Sequence, residues 1–476
     1  MRIRLLSSLC ILLLAALVIN SCKKDEVLMP VIDYTAIDTI HYSQHVQPIL
    51  NNSCAVSGCH DGINVQTHGA GLVLTSWDEL VKGSQFGEDI IPLKPARSLL
   101  VTLFDGTTLR KPHPSLGNYS LSSAEVQFLK RWISEGARND AGLVPYRNSV
   151  HKVYVPNQAE DAVAIIDIDN LVVSKYVDVG RFPILEGPHF IAANSDYWYV
   201  SLISTGEVWK FDAHADTLVK TGTVPGAPAL LALTQDGSKL YVSQFMTSST
   251  NKVSVLNTAT MTLLKTINVW TMPHGIRMNH AGTLLYVANM MSDNISVIDV
   301  TADTVVATIP LANDVNPFGS PKYMPMEVAV SPNDSLVLAT CSDMQEVRMF
   351  STSTNALVDS FHVGNQPWHL QFSPDGDFCY VTNRLGNSVS VIHIPMRHVM
   401  DTISSASPVY FDYPHGCDVS SDGKYVFVSN ENSGQHFIPR YATDFVGNVC
   451  VIDRNLNLVV KVLEVGKMPT GLSCGQ

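Results

Sequence analysis

From residue 151 to the end, one pattern of apolar and polar positions repeats. A strand closing on an aromatic–Val pair or its equivalent recurs at Tyr154-Val155, Tyr199-Val200, Tyr241-Val242, Tyr286-Val287, Leu338-Ala339, Tyr380-Val381 and Phe427-Val428. The interval is 42 to 52 residues. A polar turn and an alternating strand follow each, as in AVAIIDI, NISVIDV and SVSVIHI. A third strand comes next, as in VVATIPL. Then a Pro opens an apolar strand that runs into a tight turn such as Asp236-Gly237, Asp375-Gly376 or Asp422-Gly423. Four strands per repeat at this period predict the blades of a β-propeller, seven in number. The C-terminal run VVKVLEVGKMPTGLSCGQ begins a blade that HKVYVPN (151–157) completes. The two ends of the segment are therefore expected to close the ring and remove its free sheet edges.

The first 140 residues are patterned differently. Arg2 and Arg4 precede an apolar run from Leu5 to Ile19, too short to span a bilayer comfortably, so residues 1–21 read as a targeting segment. Ser43–Asn52 carries Val46, Ile49 and Leu50 at helical spacing, with Pro48 in its first turn or at a bend. Leu121–Ala137 is the clearest helix. Ser122 and Glu125 form a capping box, Val126, Leu129, Trp132 and Ile133 make one stripe, and Gly136 ends it. Gly- and Pro-rich loops lie between. The expected organisation is a leader (1–21), a tether (22–40), a small all-α domain (41–140) and an all-β seven-bladed propeller (151–476).

A net charge of −12 disfavours nucleic acid as a partner. Of nine cysteines, Cys341, Cys379, Cys417, Cys450 and Cys474 sit singly in apolar strand patterns and read as buried thiols. Cys417 and Cys474 fall on related strands of adjacent repeats and could pair.

The densest chemistry is Asn52-Ser53-Cys54-Ala55-Val56-Ser57-Gly58-Cys59-His60. Two close cysteines, the second followed at once by His, are the arrangement for covalent haem attachment. The thiols add to the haem vinyl groups, and the adjacent imidazole becomes the proximal axial ligand. Four residues separate the cysteines where two are usual. A Cys54–Cys59 disulfide and a zinc half-site are the competing readings; no second Cys pair stands nearby to complete a zinc site.

Three resemblances extend this reading. Ile19-Asn20-Ser21-Cys22 followed by Lys23-Lys24-Asp25-Glu26 resembles a bacterial lipoprotein signal, which implies acylation of Cys22 and membrane anchoring through that lipid. The location implied is the cell envelope, facing the periplasm or the cell exterior. The runs VQPILNNSC…GCHDG, GAGLVLTSWDELVKGS, ARSLLVTLF and LSSAEVQFLKRWISEGA together resemble a class of small c-type cytochrome domains. That likeness implies a first and last helix that cross, with haem c between them on Cys54, Cys59 and His60. Relatives commonly place a distal Met before the last helix. This chain reads Arg110-Lys111-Pro112-His113-Pro114, with no Met between Met29 and Met246. His113, Lys111 as a neutral amine, or an open position (or one filled by a group such as His68) remain; His113 is favoured, because imidazole is neutral at pH 7. The propeller phrases, with YVTN itself at Tyr380–Asn383, resemble the YVTN repeat family, which is specific for fold and poor for function.

A propeller gathers its ligand site where inner strands meet loops on one face, and the blade-opening Pro marks that face. The residues just after it include His189, His274 and His415, with His369 one further, beside Met326 and Glu327. Longer insertions (181–187, 311–324, and 431–447 with His436 and Arg440) are expected on the same face. The four His could hold a metal, a second haem-like cofactor or a redox substrate, or each could simply satisfy nearby backbone. Asp167, Asp212, Asp299 and Asp453, at outer-strand ends, read as turn residues. No catalytic Ser elbow, phosphate loop or paired-carboxylate motif is present.

The leading expectation is an exported, lipid-anchored haem c protein. It would pass electrons to or from a redox partner protein, small redox substrate or cofactor at the propeller mouth. The alternatives are a surface module binding a protein or glycan, with the cytochrome domain accessory, and an enzyme acting on small organic molecules at the mouth.

Overall fold

A computed structural model describes residues 32–63, 69–104, 121–181, 183–245, 251–313, 320–405, 409–440 and 444–475. The leader with Cys22, and His68, Lys111 and His113, lie outside the described residues. The chain divides into two units, Met1–Thr39 and Ile40–Gln476. In the first, Asp33 caps a single turn at Tyr34–Ala36.

In the second, seven four-stranded antiparallel sheets follow one another. Blade 1 is closed by the C-terminus, as expected: Ser473–Cys474 is its inner strand and pairs with Lys152–Asn157, Tyr154 opposite Ser473. Blades 2 to 7 open at Pro188, Ala227, Pro273, Pro325, Pro367 and Pro414. The three inner positions of each blade carry the alternating apolar residues that pack blade on blade, whereas the outermost strands of blades 2, 3 and 4 are largely exposed and that of blade 1 is mostly buried. The outer-strand aspartates behave as turn residues: Asp212, Asp299 and Asp453 each accept two backbone N–H groups two and three residues on. Cys417 and Cys474 are free thiols.

Residues 40–140 form few and short helices among the described residues. Gln47–Ser53 has Pro48 in its first turn, behind one turn of wider helix at Tyr42–Val46. Trp77–Lys82 and Leu99–Thr102 are shorter still. Ser123–Ser134 is the longest at 12 residues; its capping box is made on both sides, and Gly136 ends it with φ +103°. Tyr42 packs on Trp132 (ring centroids 5.6 Å) and His45 edge-on to Phe128 (6.4 Å), so the first helical segment lies against the last.

This helical part is docked on blades 1 and 7. Ile91 joins a core cluster with Val153, Val155, Phe427 and Leu463. Glu88 accepts the Val173 N–H (2.9 Å), and Arg97 pairs with Glu160 (2.7 Å) while stacking on Tyr176. Arg440 was expected on the face that the blade-opening Pro marks. Its partner Glu464 (3.0 Å) is level with Asn448, Asn430 and Pro414 at that end of blade 7, but on the outer strand, away from the axis, where Arg440 also reaches Ser84 (3.2 Å). His436, from the same insertion, turns to Asp412.

Candidate functional site

Each blade-opening strand carries the same irregularity. Register slips just after the Pro in blades 2 to 7, between Pro188 and Ile191, Pro273 and Ile276, Pro367 and Leu370, and Pro414 and Cys417 among them. A bulge of this kind re-aims side chains, here the one or two residues after Pro. A belt of hydroxyls fixes the bulges. Ser243 donates to the His274 carbonyl (2.6 Å), Thr382 to that of His415 (2.7 Å), and Thr470 to that of His189 (2.7 Å), each bridging to the next blade. The same hydroxyls of Ser243 and Thr382 accept an N–H from their own blade's bulge.

The consequence is a cluster of imidazoles. His189, His274, His369 and His415 stand on blades 2, 4, 6 and 7, yet their ring centroids close a circuit: 5.9 Å from His189 to His274, 6.4 Å to His369, 5.3 Å to His415 and 5.7 Å back. Residues from non-neighbouring blades meet this closely only across the axis of the ring. Gly275 and Gly471 make the approach possible. A Cβ at Gly275 would stand 2.4 Å from Glu327 Cα, and one at Gly471 2.2 Å from the Phe190 ring.

All four are buried, 1–6 % exposed. Burial lowers His274 to about 4 and pushes His189 and His369 well below the ordinary imidazole range, reinforced by the neighbouring rings. These three are neutral at pH 7. Their Nδ1 atoms face oxygens: His189 donates to Gln158 Oε1 (3.0 Å) and His274 to the Met326 carbonyl (2.9 Å), while Glu327 Oε2 lies 3.4 Å from Nδ1 of His369. His415 Nδ1 donates to Glu431 Oε1 (2.8 Å), and its Nε2 accepts from Trp368 Nε1 (3.2 Å). Glu431 also takes a bidentate pair from Arg384, 2.8 Å each. Although burial acts the other way, the hydrogen bonds from His415 and Arg384 bring Glu431 down to about 2. Glu327 is raised to about 7 by burial, against the pull of Arg277 at 3.9 Å.

Sequence reasoning found the four His, Met326 and Glu327. It missed Gln158, Arg277, Arg384 and Glu431 as their partners. Arg277 and Glu327 carried a signal, since each places a charge inside an otherwise apolar inner strand. Among the described residues no group of three or more His, Cys, Asp or Glu side chains is set as a ready-made metal site.

At the other candidate site, Cys54 and Cys59 are free, half-buried thiols. Burial, with Cys59 adding to it, raises the Cys54 thiol to about 11. The loop closes on itself through Cys59 N–H to Val56 O (2.9 Å) and His60 N–H to Cys54 O (3.3 Å), with Gly58 at φ +78°. His60 Nδ1 donates to the Leu72 carbonyl (3.1 Å), since a carbonyl oxygen can only accept. This fixes the tautomer whose Nε2 holds a lone pair. Two thiols and an imidazole oriented in this way are a donor set that fits haem c. No described helix is long and apolar enough to cross a membrane.

The fold and its His-lined axis define a seven-bladed propeller with a buried polar centre. The family model described as "Lactonase, 7-bladed beta-propeller" matches residues 149–308 and 337–444, more than half of the chain, and the chain belongs to that family. Among solved structures, one titled "Kuenenia stuttgartiensis Hydrazine Synthase" is similar at 21% identity and a TM-score of 0.46, covering 60% of this chain and 87% of that one. A search of curated proteins found no match.

Proposed function

We propose that this chain is an exported, lipid-anchored haem c protein that exchanges electrons with a cofactor or redox substrate at the four-imidazole mouth. The observation that carries the proposal is His60 held by Leu72 directly after Cys59, with Cys54 in the same loop and no disulfide at either sulfur. Haem bound there would supply one-electron redox chemistry. Cys54 and Cys59 would hold the group covalently and His60 would ligate it, with His113 favoured over Lys111 on the distal side. A distal imidazole in place of a thioether would lower the reduction potential. The docking of the helical part favours communication with the mouth: Arg97 pairs with Glu160, two residues from Gln158, which orients His189. Anchoring rests on Cys22 and places the protein in the cell envelope.

The test is a reduced-minus-oxidised spectrum of the mature chain, expressed with haem-attachment machinery, beside Cys54→Ser and Cys59→Ser. A c-type spectrum that each serine weakens supports the proposal; a colourless wild type refutes it.

Family membership favours a second reading, ring-opening of a lactone at the mouth. Buried neutral imidazoles and a carboxyl brought near 7 suit proton transfer at neutral pH. Turnover of a panel of lactones by the full chain, abolished in His369→Ala, would support it.

A further inference from the structure

We infer that His189, His274, His369 and His415 together bind one divalent transition-metal ion of the kind imidazole favours, copper or zinc. The inference deepens the electron-transfer reading by naming what stands at the mouth, and rests on that reading only for the preference for copper as the redox-active choice.

The geometry is close to what such an ion needs. Four imidazoles on one tetrahedral centre, with metal–nitrogen bonds of about 2.0 Å, stand with centroids about 5 Å apart. The circuit here runs from 5.3 to 6.4 Å, so the rings have to close by up to about 1.4 Å per pair. The outer support is already in place. His189, His274 and His415 direct Nδ1 at an oxygen and keep the Nε2 lone pair, the arrangement that orients metal-bound histidines. His369 supplies an independent sign. Its Nε2 is buried and has no hydrogen-bond partner, a cost that a ligand at the axis removes. The surroundings temper the repulsion of a cation: Glu431 offsets Arg384, and Glu327 lies 3.9 Å from Arg277 and offsets it where ionised. The all-nitrogen, neutral donor set suits copper and zinc over calcium or magnesium, with copper the tighter. One competitor is visible. Trp368 Nε1 donates to His415 Nε2, so His415 must give up that bond to ligate.

The experiment uses the full chain, stripped with chelator and titrated separately with Cu(II) and Zn(II). One tightly held equivalent per chain is expected, with a copper spectrum showing several nitrogen ligands and an increase in Tm on binding. His369→Ala and His274→Ala should each weaken binding by about 100-fold or more, beyond what losing a supporting residue costs. Trp368→Phe should tighten it, and His393→Ala/His398→Ala, a surface pair 6.0 Å apart, should leave it unchanged. If His369→Ala folds poorly, His369→Gln serves in its place. No equivalent held above the level of surface sites, or equal affinity in the His369 and His274 variants, overturns the inference. Cys59→Ser keeps the two readings apart. Metal retained without haem supports this site alone, and haem retained without metal leaves only the cytochrome reading standing.

Discussion

Substituting Glu431 by Ala tests whether the mouth is organised around a buried charge. The side chain is 1% exposed and holds Arg384 in two bonds and His415 in a third. Removing it strands a guanidinium that is itself only 21% exposed. Breaking a buried pair from one side costs about 3–5 kcal/mol. The proton equilibrium gives a similar figure. Glu431 moves from 4.5 to about 2, and at about 1.4 kcal/mol per unit that is about 3 kcal/mol of preference for the charged, paired form. Both routes lead to a loss of about 3 kcal/mol, or roughly 4 °C in Tm for a domain of this size. Urea unfolding followed by Trp fluorescence measures it. Arg384→Met/Glu431→Ala should be less unstable than the sum of the single variants, because the stranded charge has gone too. A single-variant loss below about 1 kcal/mol, or additivity in the double variant, would show that the pair does not organise the site.

Other outcomes follow from the same physics. Burial raises Glu88 to about 7, against Arg440 and the Val173 N–H. The folded state thus holds this proton more tightly than the unfolded chain, and the Glu88 contribution to stability falls as pH rises from about 4.5 to about 7. Glu88→Gln should remove that slope and gain up to about 3 kcal/mol over wild type at pH 8, with little gain at pH 4, in paired denaturation curves. Gly275→Ala should destabilise by about 1–3 kcal/mol, since its Cβ meets the backbone of Glu327 and Met326, which cannot rotate away; thermal unfolding checks this. Deleting residues 472–476 removes the strand that closes blade 1 and should broaden and lower the thermal transition.

The propeller was legible because its signal is periodic and local. The alternation in AVAIIDI or SVSVIHI sets the faces of a strand, and each blade-opening Pro marks the same point in the fold. That is why Pro188-His189, Pro273-His274 and Pro414-His415 pointed to one face before any contact was known. The supporting shell was not legible, because its pairs join distant loops. Gln158 reaches His189 across 31 residues and Arg384 reaches Glu431 across 47. Arg440 shows the limit. Glu464 is level with Pro414, on the expected face, but it lies on the outer strand, and Ser84 lies on another part of the chain. Chain order does not reveal how far from the axis a buried charge will find its partner.

The most direct measurement is intact-peptide mass spectrometry of the segment holding Cys54, Cys59 and His60, from protein exported in a cell that attaches haem. One porphyrin added across the two sulfurs is expected. A peptide in which Cys54 and Cys59 are joined to each other, with no added porphyrin, contradicts the proposal and leaves a propeller whose mouth must be explained without an electron donor.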